Sequence, residues 1–123
     1  MTKTAFLTGT TGFVGTALAA RLVESGVHVR GLVRRTISGA TVERLRQLGV
    51  ELVEGEVAPP ERAAQAAQLM GTLTRAMDGA DLVVHAAAVI GYRRRLAAAM
   101  QATNVLGTRR VVRAALAAGV GRF

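Results

Sequence analysis

Cysteine is absent from the sequence, which excludes disulfides, thiolate metal sites, iron–sulfur clusters and cysteine nucleophiles. Such a chain fits a reducing compartment, and a cytoplasmic location is expected. Aromatics are scarce, with Phe6, Phe13, Tyr92 and Phe123 the whole complement. A nucleic-acid surface interleaves basic residues with stacking rings, whereas the arginines here are scattered among very few of them. The net charge of +8 suggests three kinds of partner: nucleic acid, a membrane surface or an anionic small ligand. Of these, nucleic acid is disfavoured. No apolar run approaches the roughly 18 residues of a membrane span, and the first residues turn polar too soon for a signal peptide. The two histidines, His28 and His85, are far apart and have no acid at ligand spacing, so no metal site is expected.

What is present is an alternation of short apolar runs and helical stretches in a chain of 123 residues, half of them hydrophobic. This length and composition suit one folded domain, residues 1–123, and not a disordered chain. Residues 4–8 read as a buried strand. A helix over 13–25 follows, with Val14, Leu18 and Leu22 inward and Gly26 as its C-terminal stop. Residues 27–33 read as a second strand. Thr41 to Gly49 reads as a short helix with Val42, Leu45 and Leu48 inward, and 50–53 as a third strand. After Pro59-Pro60 a helix is predicted over 61–77, with Ala66, Leu69, Met70, Leu73 and Met77 on one stripe. Residues 81–87 are apolar almost throughout and read as a fourth strand buried on both faces, hence in a parallel sheet. A long helix over 95–118 closes the pattern, with Leu96, Met100, Gly107, Val111 and Ala118 inward. The alternation predicts an α/β, doubly wound parallel sheet of Rossmann type, with a fifth strand due where the sequence reaches Gly-Arg-Phe123.

Thr8-Gly9-Thr10-Thr11-Gly12-Phe13-Val14-Gly15 lies between the first strand and the first helix, where a dinucleotide pyrophosphate site belongs. Gly9 turns the chain off the strand, Gly12 clears space for the phosphates and Gly15 lets the helix pack on the strand. The helix N-terminus presents free N–H groups and a positive dipole end. Arg34 and Arg35 follow the second strand, where such a site reads the adenosine ribose. No acid occurs between Glu24 and Glu43, so the carboxylate that would hold an NAD ribose is missing and an arginine can pair with a 2′-phosphate. NADP is therefore preferred over NAD as the expected ligand. His85 reads as a core histidine sooner than a catalytic one.

The Gly-x-x-Gly-x-x-Gly spacing resembles the extended short-chain dehydrogenase/reductase family, which includes NAD(P)-dependent epimerases and dehydratases. The likeness continues at Gly79 to Ala88, at Thr103-Asn104-Val105-Leu106-Gly107-Thr108-Arg109 and at Ala114 to Val120. It covers essentially the whole chain but only the first half of the family's fold. The resemblance implies that Glu56-Val57 stands where the family carries an Asp-hydrophobic pair at the adenine. It also implies nicotinamide-side contacts at Ala86, Ala87 and Ala88, and an active-site role for Asn104, for which backbone bonding is the alternative.

The sequence departs from the family pattern in several places. The 59–77 segment is long, and the catalytic Tyr-x-x-x-Lys is missing. Lys3 is the only lysine, Leu96 stands four residues after Tyr92, and the only serines are Ser25 and Ser38. The family's paired tyrosine and lysine exchange a proton with the substrate, so the chain is expected to bind a dinucleotide without turnover by itself. It reads as the cofactor-binding portion of an oxidoreductase, incomplete at its C-terminus, with substrate unassigned and self-association left open. A non-catalytic NADP-binding sensor is the alternative, and a basic nucleic-acid-binding protein a weaker one.

Overall fold

The computed structural model describes residues 2–37 and 39–123. Four parallel strands form one sheet in the order β3-β2-β1-β4. They are β1 (Thr4–Thr8), β2 (His28–Val33), β3 (Glu51–Glu54) and β4 (Leu82–His85). Helices α1 (Phe13–Glu24), α2 (Ala40–Gln47) and α3 (Ala63–Ala76) connect them. The chain runs outward from β1 through β2 to β3, then crosses back to β4 on the other side of β1. The order therefore reverses beside β1, which in open α/β sheets is where ligands bind, beyond the carboxyl ends of the strands.

Side chains alternate between the two faces of a strand, and neighbouring residues of β1 feed two separate cores. Phe6 packs with Leu32, Leu73, Met77, Val83, Val111 and Ala114 on one face. Leu7 packs with Ala19, Val29, Leu45 and Val50 on the other. Burial on both faces is what the unbroken apolar runs predict. Beyond β4, Leu82 forms an isolated parallel bridge with Arg122, and the Val83 N–H donates to the Arg122 carbonyl at 2.9 Å. This single bridge lies where the alternation leads one to expect a further strand, but no fifth strand forms among the described residues.

Several element readings need correction. Val14 is exposed. Leu18 and Leu22 pack against the core as expected, but the fully buried residues of α1 are Gly15 and Ala19, because the close approach of Gly15 to the loop before it turns that face to the sheet and leaves Val14 to the side. In α3 only the C-terminal half docks: Leu73 and Met77 are buried while Leu69 is exposed. β4 ends at His85 and not at 87, because the N–H groups of Ala86 and Ala87 turn to the Thr8 side chain.

The long C-terminal helix is not regular. A 3-10 turn at Arg94–Leu96 leads into α4 (Ala97–Met100), a π-helical segment at Gln101–Gly107 and α5 (Thr108–Ala117). Leu96 and Met100 are only half-buried, and the inner face lies on Gly107, Val111, Ala114 and Ala115. The wider π turn breaks the 3.6-residue stripe that a regular helix would carry from Leu96 to Ala118. Among the described residues, no helix is long and apolar enough to cross a membrane.

Candidate functional site: a cleft at the strand ends

Gly9 leaves β1 with φ at +67°, a conformation that L side chains rarely adopt. A Cβ there would lie 2.6 Å from the backbone of Ala86 and Ala87, so the absence of a side chain also lets the loop touch the β4 end. Gly12 follows at φ −79° as the N-cap of α1, and a Cβ on it would meet only the Gly9 carbonyl oxygen, at 3.3 Å. Its φ does not require glycine, but a Cβ at 3.3 Å from a backbone oxygen is closer than ordinary contact, so the loop would have to give by a few tenths of an ångström. Gly15 is the tightest of the three, with a would-be Cβ at 1.8 Å from the Gly9 carbonyl oxygen.

No side chain caps α1, and the first N–H groups of a helix have no intrahelical acceptor. Thr16 braces the loop from inside the helix, its hydroxyl donating to the carbonyls of Gly12 at 2.7 Å and Thr10 at 3.1 Å. Thr10 is fully buried, donates to the Leu7 carbonyl at 3.0 Å and rests against Gly31, where a Cβ would lie 2.6 Å from its methyl group.

β1 and β4 pair in register, with Thr8 beside His85. The Thr8 hydroxyl lies 2.6 Å from His85 Nδ1 and accepts the N–H groups of Ala86 and Ala87 at 3.1 and 3.2 Å. Having accepted two bonds, it has its hydrogen to give to Nδ1. His85 Nε2–H then donates to the Thr108 hydroxyl at 2.9 Å, which donates to the Asn104 carbonyl at 2.6 Å. All donors and acceptors of this chain match when the imidazole is neutral with its proton on Nε2. Burial pushes the His85 pKa down, in keeping with that neutral form. The Asn104 side chain is occupied at both ends by the Val89 backbone, at 2.8 Å each.

Above these residues a cleft of about 270 Å³ runs along the strand ends. Gly9, Thr11 and Gly12 form its middle. Arg34, Glu56 and Val57 line one end, and Ala86, Ala87, Ala88 and Thr103 the other. Of the sequence-derived candidates, nine therefore meet in one space. Thr8 and Gly15 lie behind it as supports. Phe13 and Val14 turn their side chains to solvent while their backbone belongs to the first turn of α1. Arg35 is separated from Arg34: it lines a neighbouring cavity with Glu54, Leu69, Thr72 and Leu73. Asn104 lies outside the cleft lining and holds Val89, which lines it.

Sequence reasoning passed over Thr10, Thr16, Thr103, Thr108 and Arg110. The Arg110 guanidinium donates through Nη1 to the carbonyls of Val57 at 2.7 Å and Ala58 at 2.5 Å, with the Glu56 carbonyl at 3.4 Å. The threonines gave a weak signal, being hydroxyls next to glycines in the loop and at i+4 in the helix. Arg110 gave none, because its partners lie more than 50 positions away in the sequence.

The cleft thus brings together the uncapped start of α1, an open face on Gly12 and the exposed Arg34 cation. A ketoreductase of Stigmatella aurantiaca acting on 4-hydroxy-2-methyl-3-oxo-4-farnesyl-3,4-dihydroquinoline-1-oxide is 34% identical over 118 residues, which are 96% of this chain and 31% of that protein. A short-chain dehydrogenase/reductase superfamily protein of Agrobacterium tumefaciens, solved with bound NAD, is 32% identical at a TM-score of 0.69, over 95% of this chain and 30% of the other. The structure of AtPrR2 with NADP+ and (+)pinoresinol matches at a TM-score of 0.74 and 22% identity, over 100% of this chain and 36% of the other. This last likeness speaks for the fold alone. The chain spans about a third of the length of the relatives it matches. The model of the NAD dependent epimerase/dehydratase family matches residues 5–123, and the chain belongs to that family.

Proposed function

We propose that the chain binds NAD(P) in this cleft as the cofactor-binding portion of an oxidoreductase. The pyrophosphate lies over Gly9, Thr11 and Gly12 against the backbone of Phe13, Val14 and Gly15. The adenosine half lies toward Arg34, Glu56 and Val57, and the nicotinamide toward Ala86, Ala87, Ala88 and Thr103. The observation that carries this reading is the single cleft into which the ends of all four strands deliver those residues. When bound, the cofactor supplies hydride transfer. The chain's own residues hold and orient it, and Thr8, His85 and Asn104 fix the loops that touch it.

Arg34, and not the Arg34–Arg35 pair, is the proposed reader of a 2′-phosphate, which makes NADP the preferred ligand. Residues 1–123 serve as one NAD(P)-binding unit. The test is calorimetric titration of the chain with NADP and NAD, alongside Gly12→Val. Binding of either dinucleotide that is lost in the variant supports the reading, and absence of binding to the unmutated, folded chain overturns it.

A further inference from the structure

The guanidinium of Arg110 occupies a place that stability alone does not explain. Its Nη2 is buried with no hydrogen-bond partner among the described residues, and burial lowers the arginine pKa, with the charge of Glu56 opposing. A methionine of similar length would remove both penalties while leaving the Val57 and Ala58 carbonyls without their donor. Yet Nη1 is fixed on the carbonyls of Val57 and Ala58, with that of Glu56 in reach. One turn earlier, at the end of the π-helical segment, Gly107 brings the backbone against Val57, where a Cβ would meet the Val57 side chain and carbonyl oxygen at 3.2 Å. Helix and arginine together hold the turn 56–58 from behind, and the other side of that turn is the cleft wall.

We infer that Arg110 is a positioning residue for the adenosine half of the ligand. It fixes the backbone of Glu56, Val57 and Ala58 in the shape that the base and ribose meet, without touching the ligand itself. The inference rests on the dinucleotide reading of the cleft and adds to it a residue that the glycine loop does not involve. Its action is confined to one end: the Thr8–His85–Thr108 chain at the other end shares no hydrogen bond with it.

The experiment compares the unmutated chain with Arg110→Met and Arg110→Lys. Binding of 5′-AMP and of nicotinamide mononucleotide is followed by NMR titration, amide hydrogen exchange is measured over residues 55–58 without ligand, and the unfolding midpoint is recorded. In Arg110→Met we expect exchange at 55–58 to quicken, 5′-AMP to bind roughly tenfold more weakly, nicotinamide mononucleotide to bind as before, and the midpoint to change little, because the lost carbonyl bonds and the relieved burial of the guanidinium oppose each other. Lysine, with three donors on a shorter reach, restores part of the 5′-AMP affinity.

Unchanged 5′-AMP affinity in Arg110→Met overturns the inference even if exchange quickens. An equal loss for both mononucleotides with a lowered midpoint overturns it too, since that is general destabilisation. If the unmutated chain binds neither NADP nor 5′-AMP, the dinucleotide reading itself falls, and the exchange data then show whether the clamp exists without that ligand.

Discussion

The two ends of the cleft are built on opposite principles. At the β1/β4 end four polar residues are bonded within the protein: Thr8, His85, Thr108 and Asn104 form one continuous hydrogen-bonded chain. At the β2/β3 end the charged groups are exposed, and neither the Arg34 guanidinium nor the Glu56 carboxylate has a hydrogen bond among the described residues. The first end is shaped by the fold before any ligand arrives. The second keeps its charged side chains exposed, and only its backbone is held, by Arg110. Closed networks fix geometry, whereas exposed charges gain a partner on binding and so decide which ligand is chosen.

The sharpest way to break this comparison is to disturb the glycine loop that joins the two ends. Gly15→Val drives a branched side chain into the Gly9 carbonyl, where backbone cannot give way cheaply. We expect a loss of roughly 3 kcal/mol or more in unfolding free energy, read by urea titration. A midpoint close to that of the unmutated chain would show that the loop and α1 are not packed as described. Three residues earlier, Gly12→Val should behave otherwise. Its φ of −79° suits any residue and its Cβ meets a single atom, the Gly9 carbonyl oxygen at 3.3 Å, which need give by only a few tenths of an ångström, so the fold should persist with a small loss of stability. The valine would instead fill the space over the loop, and dinucleotide affinity should fall by about a hundredfold or more, roughly 3 kcal/mol. The two variants separate a glycine kept for packing from one kept for the ligand.

At the open end the effects should be smaller and selective. Arg34→Ala should weaken NADP binding by about tenfold, as expected for loss of one charge-assisted phosphate contact, and leave NAD affinity unchanged. Arg35→Ala should change neither, since Arg35 lines the other cavity. Calorimetry with both dinucleotides decides. A preference for NADP that survives Arg34→Ala, or that disappears with Arg35→Ala, would reverse the assignment of the two arginines.

Legibility in the sequence followed the same division. The glycine loop and the sheet were readable because each depends on local facts: three glycines at fixed spacing after an apolar run, and unbroken apolar strands. Arg34 was readable as a charge at a strand end, but its separation from Arg35 was not, since adjacent residues of an irregular segment point where the backbone sends them. The length of the α1 stripe was misjudged at Val14 because periodicity does not reveal that Gly15 faces the loop. The Thr8–His85 contact spans 77 positions and the Arg110 clamp 53. Contacts of that kind arise only when parallel strands and crossover helices come together, and no window of the sequence holds both partners. His85 carried only its apolar surroundings as a signal, which explained its burial and not its bonds.

The smallest expected effect concerns that histidine. Burial lowers its folded-state pKa from 6.5, so the unfolded chain binds the proton more readily than the folded one. The neutral imidazole therefore contributes stability that is fully present above about pH 6.5 and is lost as the pH falls below it toward the folded-state value. The hydrogen-bond pattern gives the structural reason. A proton on Nδ1 would turn that nitrogen into a donor facing the Thr8 oxygen, which already accepts from Ala86 and Ala87, and the Thr8 hydrogen would lose its acceptor. Only one half-buried ring is involved, with the Phe123 ring 6.5 Å away and Thr8 and Thr108 as its bonded neighbours. Urea unfolding midpoints between about pH 7.5 and 5.5, above the carboxylate range, should decline for the unmutated chain and decline less for His85→Gln. His28 is common to both proteins and cancels in the difference. Equal pH dependence in the two would mean that His85 does not titrate against the fold, and that the closed end of the cleft is held by Thr8 and its backbone partners without the imidazole.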